Sequence, residues 1–208
     1  MDGHVVLLGD SIFDNAVYVP GGPAVIEHLR RLLPAGWKAT LLAVDGATIS
    51  SVERQLQRLP SDATHLVLSV GGNDALGHSA FILSEPADSY AEVLTGLAKI
   101  RDEFSREYRQ MLKNVRSQGL PLAACTIYDS VPGLHPPESA GLALFNDIIT
   151  RQVFAAGATL LDLRLICNEA TDYAAISPIE PSAVGGGKIA RAIQSALFHP
   201  ARGSLVVV

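Results

Sequence analysis

Five short apolar segments, separated by longer stretches of helical periodicity, constrain the fold of this chain more than any other feature. The segments are HVVLL (4–8), ATLLAV (39–44), HLVLSV (65–70), LAACTI (122–127) and ATLLDL (158–163). Apolar segments of this length are typical of strands that are buried on both faces of a sheet. Because longer helical segments separate them, the pattern predicts parallel strands joined by crossover helices in a doubly wound α/β fold.

The stretches between the strands carry helix signals. A helix is predicted after Pro23, where apolar residues recur on one face, and the longest helix is predicted over residues 89–118. Another is expected over 138–156, and a glycine follows each of these last two segments, as is common at helix C-termini. A final helix is expected after the GGGK segment (185–188), which we interpret as a loop.

Length and composition favour one compact domain over residues 1–208. The chain has a mass of 22.0 kDa, with 48% hydrophobic and 18% charged residues. No apolar run reaches the roughly 18 residues of a membrane span, and the sequence begins without a basic leader, so we expect a cytoplasmic protein. The net charge of −5 gives no electrostatic reason to expect nucleic acid or an anionic membrane as a partner.

Cysteine and metal-ligand patterns point to no cofactor. Cys125 and Cys167 are too few for a disulfide framework, and we expect both to be reduced and structural. No His, Cys or Asp cluster has metal-ligand spacing, and GGGK lacks the remaining residues of a phosphate-binding loop. We therefore expect neither a metal nor a cofactor.

The residues that follow the predicted strands are the first candidates for a functional site, because ligands bind at the carboxyl ends of the strands in a doubly wound sheet. These positions carry GDS (9–11), DGAT (45–48), GGND (71–74), YDS (128–130) and IEPS (179–182). A site at this edge of the sheet would draw on several of them.

Three of these positions suggest the chemistry of acyl transfer. Ser11 is expected on a tight turn at the head of a helix, as a nucleophile would be, although most serines at such positions are helix caps. At Gly46 a backbone N–H could approach a substrate oxygen without side-chain obstruction, whereas a glycine here is more often a simple turn. Asn73 offers an amide donor and Asp74 a brace for its loop, while an ordinary Asx turn is the alternative.

The order and spacing of GDS, DGAT and GGND resemble those of the SGNH hydrolases, the GDSL esterase and lipase superfamily, over nearly the whole chain. The resemblance implies a flavodoxin-like three-layer α/β sandwich with a five-stranded parallel sheet. It also implies a serine esterase or acyl hydrolase that acts on an ester or thioester. It assigns the nucleophile to Ser11 and the oxyanion hole to the backbone N–H of Ser11, Gly46 and Asn73. Asp10, in the same block as Ser11, is an accessory candidate.

The last conserved motif of the family has different residues in this chain. SGNH hydrolases place aspartate and histidine three residues apart as D-x-x-H, whereas this chain has Ser177 and Glu180 at the matching positions. We expect Glu180 to be the general base, because a carboxylate can accept the proton of Ser11 and return one to the leaving group. Burial or an acidic neighbour would have to raise its pKa from the ordinary value of about 4.3.

Two further residues are accessory candidates near this block. Asp172 lies a few residues before Glu180 and could orient it or perturb its pKa, although a solvated acid is the more common finding. His78 follows GGND and Gly77, so this segment could turn the imidazole towards Ser11. We interpret the other five histidines as structural.

Two functional hypotheses from different classes follow. The first is an ester hydrolase with an acyl-Ser11 intermediate, which acts on a small-molecule acyl ester. The second is a catalytically inactive SGNH-fold protein that binds an acyl or small carbonyl ligand. The first is favoured, because GDS, the glycine and GGND would be unnecessary in a pure scaffold. The sequence determines neither the acyl length nor the physiological substrate nor the oligomeric state.

Overall fold

A five-stranded parallel sheet forms the centre of the protein in the computed structural model, which describes residues 2–84 and 86–198 and only the backbone of residues 80–82. The strands are β1 (Gly3–Gly9), β2 (Trp37–Leu41), β3 (His65–Ser69), β4 (Leu122–Cys125) and β5 (Thr159–Leu161). Their spatial order is β2-β1-β3-β4-β5, with every neighbouring pair parallel. This is the flavodoxin-like order, so the predicted fold class is confirmed.

Helices cover both faces of the sheet. In chain order they are α1 (Val25–Leu32), α2 (Val52–Leu56), α3 (Gly72–Gly77), α4 (Ser79–Ser84), α5 (Tyr90–Arg116), α6 (Pro136–Ala155), α7 (Leu163–Ile166) and α8 (Ala183–Phe198). The core on one face is shared with α1, α7 and α8, and the core on the other face with α2, α5 and α6. Of the helices described, none has the length and apolarity that crossing a membrane requires.

The interior strand β1 shows why these segments are apolar throughout. Along β1, Val5 and Leu7 belong to the core beneath α1 and α8, whereas Val6 and Leu8 belong to the core beneath α5 and α6. All four side chains are completely buried. Because successive side chains of a strand point to opposite faces, a strand covered on both sides needs an apolar residue at every position.

The last helix begins earlier than predicted. It starts at Ala183, so GGGK lies within its first turns and the prediction of a loop there is wrong. Ser182 caps the helix, because its Oγ accepts hydrogen bonds of 3.1 Å from the backbone N–H groups of Val184 and Gly185. Close packing explains the glycine, since a Cβ on Gly185 would stand 2.1 Å from the carbonyl oxygen of Asp172.

A short antiparallel hairpin, which the sequence analysis did not predict, carries Glu180. Its strands are β6 (Tyr173–Ala174) and β7 (Ser177–Pro181). Two of the five residues of β7 are prolines, which lack a backbone donor and are uncommon in strands, so the segment has no recognisable strand pattern. The hairpin packs against α8 and the 3₁₀ turn at Ala16–Tyr18, close to the segment that follows β1.

Candidate active site

The predicted site residues come together where the strand order of the sheet reverses. Ser11 follows β1, and Asn73 lies in α3 directly after β3. These two neighbouring strands connect to opposite halves of the sheet, which leaves a crevice at their carboxyl ends. Glu180 reaches the same crevice from the hairpin, and all three side chains line one cleft.

The backbone that leads into Ser11 is fixed by contacts of Gly9. This residue has φ +120°, and a Cβ here would stand 1.7 Å from the carbonyl oxygen of Ser69, so only glycine fits. The side-chain amide of Gln55 accepts from the Gly9 N–H at 2.7 Å and donates to the Gly9 carbonyl at 2.8 Å. The Asp10 N–H donates to the Ser69 carbonyl at 3.0 Å. The position of the Ser11 backbone is therefore set by β3 and α2.

Ser11 and Glu180 form a buried contact between a hydroxyl and a carboxylate. The Ser11 side chain lies close enough to the Glu180 carboxylate to lower its pKa, and the two residues are only 6% and 4% exposed. In such a pair the hydroxyl is the donor, because an ionised carboxylate can only accept. In the described part of the chain, Oε2 of Glu180 is buried without a hydrogen-bond partner. This contact has the arrangement of a nucleophile and its general base.

Burial raises the pKa values of two carboxyl groups in the site. Desolvation raises the pKa of Glu180 to about 7; the Ser11 hydrogen bond lowers it and the nearby charge of Asp45 raises it further. The pKa of Asp10 is raised to about 8, mainly by burial, against a hydrogen bond from the Ile12 N–H that lowers it. At neutral pH Asp10 is therefore mostly uncharged, and Glu180 can exchange a proton.

Asn73 presents an amide donor to the cleft. One Nδ2 hydrogen is used in a 2.9 Å bond to the carbonyl of Ala47, which fixes the orientation of the side chain. An asparagine amide carries two hydrogens, so one remains for another acceptor. Asp74 braces the same region, because its carboxylate accepts the Ile49 N–H at 3.1 Å.

The loop that contains Gly46 is tied to the Ser11 segment. The Val44 N–H donates to the Gly9 carbonyl at 3.0 Å, and the Asp45 N–H donates to the Asp14 carboxylate at 3.0 Å. Gly46 has φ +74°, which favours glycine even though a Cβ would meet no atom within 4 Å. Neither the Gly46 N–H nor the Ser11 N–H hydrogen-bonds to any residue within 2–84 or 86–198. Of the two, only Ser11 is among the described residues that line the cleft.

The other two accessory candidates lie in different surroundings. The His78 ring stacks on Phe145 with the ring centroids 6.1 Å apart, and of the two only Phe145 belongs to the described lining of the cleft. Asp172 is completely buried, and its carboxylate pairs with the Lys188 ammonium at 2.8 Å and accepts the Glu169 N–H at 3.0 Å. Asp172 therefore interacts with α8 and its own turn and not with Glu180.

Most of the remaining lining of the cleft is apolar. It includes Leu76, Val131, Leu134, Leu142, Phe145 and Ile179. An apolar cleft with a few converging polar groups is typical of a small-molecule site, and an aliphatic lining suits a hydrocarbon chain. The chemistry that this arrangement permits is attack by Ser11 on a carbonyl carbon whose substituent lies against these side chains.

Two supporting residues of the site were missed by the sequence analysis. Gln55 lies within α2, and nothing in the sequence connects it with Gly9. Tyr128 lines the cleft, and its hydroxyl donates to the carbonyl of Ile179 at 2.6 Å. Its position in the YDS segment after β4 was the available signal, because that segment follows a strand at the ligand edge.

The site and fold can be compared with known proteins. The model of the GDSL-like lipase/acylhydrolase family matches residues 7–199. No curated protein matches the sequence.

Solved structures with the same fold cover nearly the whole chain. An extracellular lipase from Streptomyces rimosus has a TM-score of 0.68 at 16% identity, over 93% of this chain and 99% of that one. The acetyl xylan esterase Axe2-W215I from Geobacillus stearothermophilus has a TM-score of 0.69 at 14% identity, over 97% of both chains. The lipase Lip_vut3 from a goat rumen metagenome has a TM-score of 0.72 at 16% identity, over 93% and 97%. At these identities the likeness shows a shared fold.

Proposed function

Because the chain belongs to the GDSL-like lipase/acylhydrolase family, we propose that it hydrolyses a small-molecule acyl ester or thioester through an acyl-Ser11 intermediate, with Glu180 as the base. The observation that carries this proposal is the buried proximity of the Ser11 hydroxyl and the Glu180 carboxylate, which line the same cleft. The apolar cleft beside this pair supports an acyl group as the part of the substrate that is bound there.

Acylation begins when Ser11 Oγ attacks the carbonyl carbon and its proton passes to the Glu180 carboxylate. The backbone N–H groups of Ser11 and Gly46 and the free amide hydrogen of Asn73 stabilise the oxyanion. When the tetrahedral intermediate collapses, the protonated Glu180 returns the proton to the departing alkoxide or thiolate, and the acyl group stays on Ser11.

Deacylation reverses these roles with water as the nucleophile. Glu180 takes a proton from the water, whose oxygen attacks the acyl carbon, and the second intermediate collapses to release the acid. The proton then returns to Ser11 Oγ. A glutamate suits both half-reactions because burial raises the pKa of Glu180 to about 7, which is near the pH at which a base must both accept and release a proton.

Labelling with a fluorophosphonate probe tests whether Ser11 is an activated nucleophile. We expect mass spectrometry to find the phosphonyl group on Ser11, and Ser11→Ala to abolish the modification. Hydrolysis of p-nitrophenyl acetate should disappear in the same variant. A folded wild-type chain that neither reacts with the probe nor hydrolyses the ester would instead favour an inactive protein that binds an acyl or carbonyl ligand.

The acylation rate should rise with pH through a midpoint near 7. Below this midpoint the Glu180 carboxyl is protonated and cannot accept the Ser11 proton, and above it the carboxylate is available. Single-turnover acylation by p-nitrophenyl acetate, measured over a range of pH, gives this rising part of the pH–rate profile, which we call the acid limb. Because histidine titrates in the same range, His78→Ala is the control, and the limb should persist in it. A limb that disappears in His78→Ala would assign the titration to His78.

A further inference from the structure

The strand that carries Glu180 is fixed on both sides of this residue by buried side chains from elsewhere in the chain. Tyr128, which is 3% exposed, donates its hydroxyl to the carbonyl of Ile179 at 2.6 Å. The completely buried Asn15 donates from Nδ2 to the carbonyl of Pro181 at 3.0 Å. The main-chain carbonyls of the two residues that flank Glu180 thus each accept a hydrogen bond from a buried side chain.

These two side chains are themselves held in place. Oδ1 of Asn15 accepts the Val25 N–H at 2.9 Å, so its amide joins the hairpin to the start of α1. The ring of Tyr128 packs edge-to-face on that of Tyr173, with the centroids 4.9 Å apart. Asn15 follows Ser11 by four residues, and Tyr128 follows the end of β4. The hairpin is therefore tied to the nucleophile segment and to the sheet.

Among the described residues, no third side chain orients the Glu180 carboxylate. Its Oε2 is buried without a partner there, and the nearby charge of Asp45 repels it. The position of the family's aspartate is taken by Ser177, at the other end of β7. The Ser177 side chain makes no hydrogen bond to the Glu180 carboxylate in the described chain, and Oε2 of Glu180 has no partner there.

We propose that Tyr128 and Asn15 are positioning residues that hold the backbone on either side of Glu180, so that its carboxylate meets the Ser11 hydroxyl. This inference rests on the proposed role of Glu180 as the base. Under this inference, two hydrogen bonds to main-chain carbonyls orient the glutamate, as a hydrogen-bonded side chain orients a histidine base. Loss of either bond lets the carboxylate move away from Ser11, and a displacement of about 1 Å is enough to cost up to about 10²-fold in rate.

Tyr128→Phe removes one of these bonds and keeps the ring. We expect single-turnover acylation of Ser11 by p-nitrophenyl acetate to slow by about 10 to 10²-fold, with KM little changed. The KM is measured separately because the Tyr128 ring lines the cleft. The acid limb should also move to higher pH, since the Ser11 hydrogen bond that lowers the pKa of Glu180 is weakened.

Tyr108→Phe is the control. It also removes the hydroxyl of a buried tyrosine, but Tyr108 lies in α5 and is not among the described residues that line the cleft. The rate and the acid limb should stay close to those of the wild type. Equal effects of Tyr128→Phe and Tyr108→Phe would mean that loss of a buried hydroxyl only destabilises the fold, and would overturn the inference.

A double-mutant cycle with Glu180→Gln separates this inference from the proposed function. If Tyr128 acts through Glu180, Tyr128→Phe should slow acylation in the wild type and have almost no effect in Glu180→Gln. The same fold-loss in both backgrounds overturns the positioning role while Glu180 remains the base. A Glu180→Gln variant that acylates at the wild-type rate instead contradicts the proposed function. Asn15→Ala, compared in both backgrounds, should repeat the pattern of Tyr128→Phe.

Discussion

Replacing Glu180 by glutamine should slow the acylation of Ser11 by about 10³-fold, within the range that general base catalysis contributes. Glutamine keeps the size of the side chain and can still accept the hydrogen bond from Ser11, but an amide does not take up the proton. Single-turnover acylation by p-nitrophenyl acetate, followed over a range of pH, gives the rate, and the acid limb near pH 7 should vanish in the variant.

The specificity of this effect can be checked in two ways. Glu103→Gln makes the same chemical change on the exposed surface of α5 and should leave the rate unaltered. The KM of Glu180→Gln should remain near that of the wild type, because the apolar lining of the cleft is intact. Acylation of Glu180→Gln at the wild-type rate would exclude glutamate as the base and leave the hairpin with a structural role only.

Asn73→Ala should lower kcat by about 10² to 10³-fold, because the oxyanion loses a donor that is oriented before the reaction begins. The orientation comes from the 2.9 Å bond between Asn73 Nδ2 and the Ala47 carbonyl, which holds the amide towards the cleft without a cost during the reaction. Steady-state hydrolysis of p-nitrophenyl acetate measures kcat and KM together. The KM should change little, since the ground-state carbonyl carries less negative charge than the oxyanion.

A matched substitution distinguishes the loss of this donor from a general loss of an asparagine. Asn114→Ala removes an asparagine side chain from α5, which contributes no described residue to the lining of the cleft, and should not affect kcat. Thermal unfolding of both variants should show that they remain folded. An unaltered kcat in Asn73→Ala would remove Asn73 from the oxyanion hole.

The environment of Glu180 suits the role of general base that we propose for this carboxylate. In water a glutamate is ionised at neutral pH but is a weak base, because its pKa lies near 4.3. Burial in a mostly apolar cleft raises the pKa of Glu180 to about 7 and so brings its basicity close to that of histidine. Desolvation thus gives the Glu180 carboxylate a pKa close to the one that an imidazole has in water.

The architecture could be predicted from the amino-acid sequence, because the physical cause of a buried strand is local in the chain. A strand covered on both faces needs an apolar residue at each position, as Val5 to Leu8 in β1 show, and this requirement is visible as a continuous apolar segment. It also predicted that Ser11, Asn73 and Glu180 belong to one site, and these residues line one cleft. Their roles in a reaction remain predictions.

Where the helical pattern was ambiguous, packing decided the local structure. The GGGK segment, predicted to be a loop, is helical: Ser182 caps it and Gly185 packs against the Asp172 carbonyl, and these contacts offset the low helix propensity of glycine. Likewise, the apolar positions Tyr90 and Leu94 of α5 are 91% and 65% exposed, because the buried stripe of this helix begins only at Ile100.

The placement of Glu180 and its pKa depend on tertiary packing and could not be predicted from the sequence. Its partner Ser11 is distant in the sequence, and the anchors Tyr128 and Asn15 contact main-chain carbonyls, which have no sequence signature. The pKa of Glu180 depends on how much water surrounds the carboxylate, and hence on the side chains that close around it from several parts of the chain. The sequence shows that residue 180 is a glutamate. The desolvation of its carboxylate and the hydrogen bonds to its neighbouring carbonyls form only when distant segments of the chain pack together.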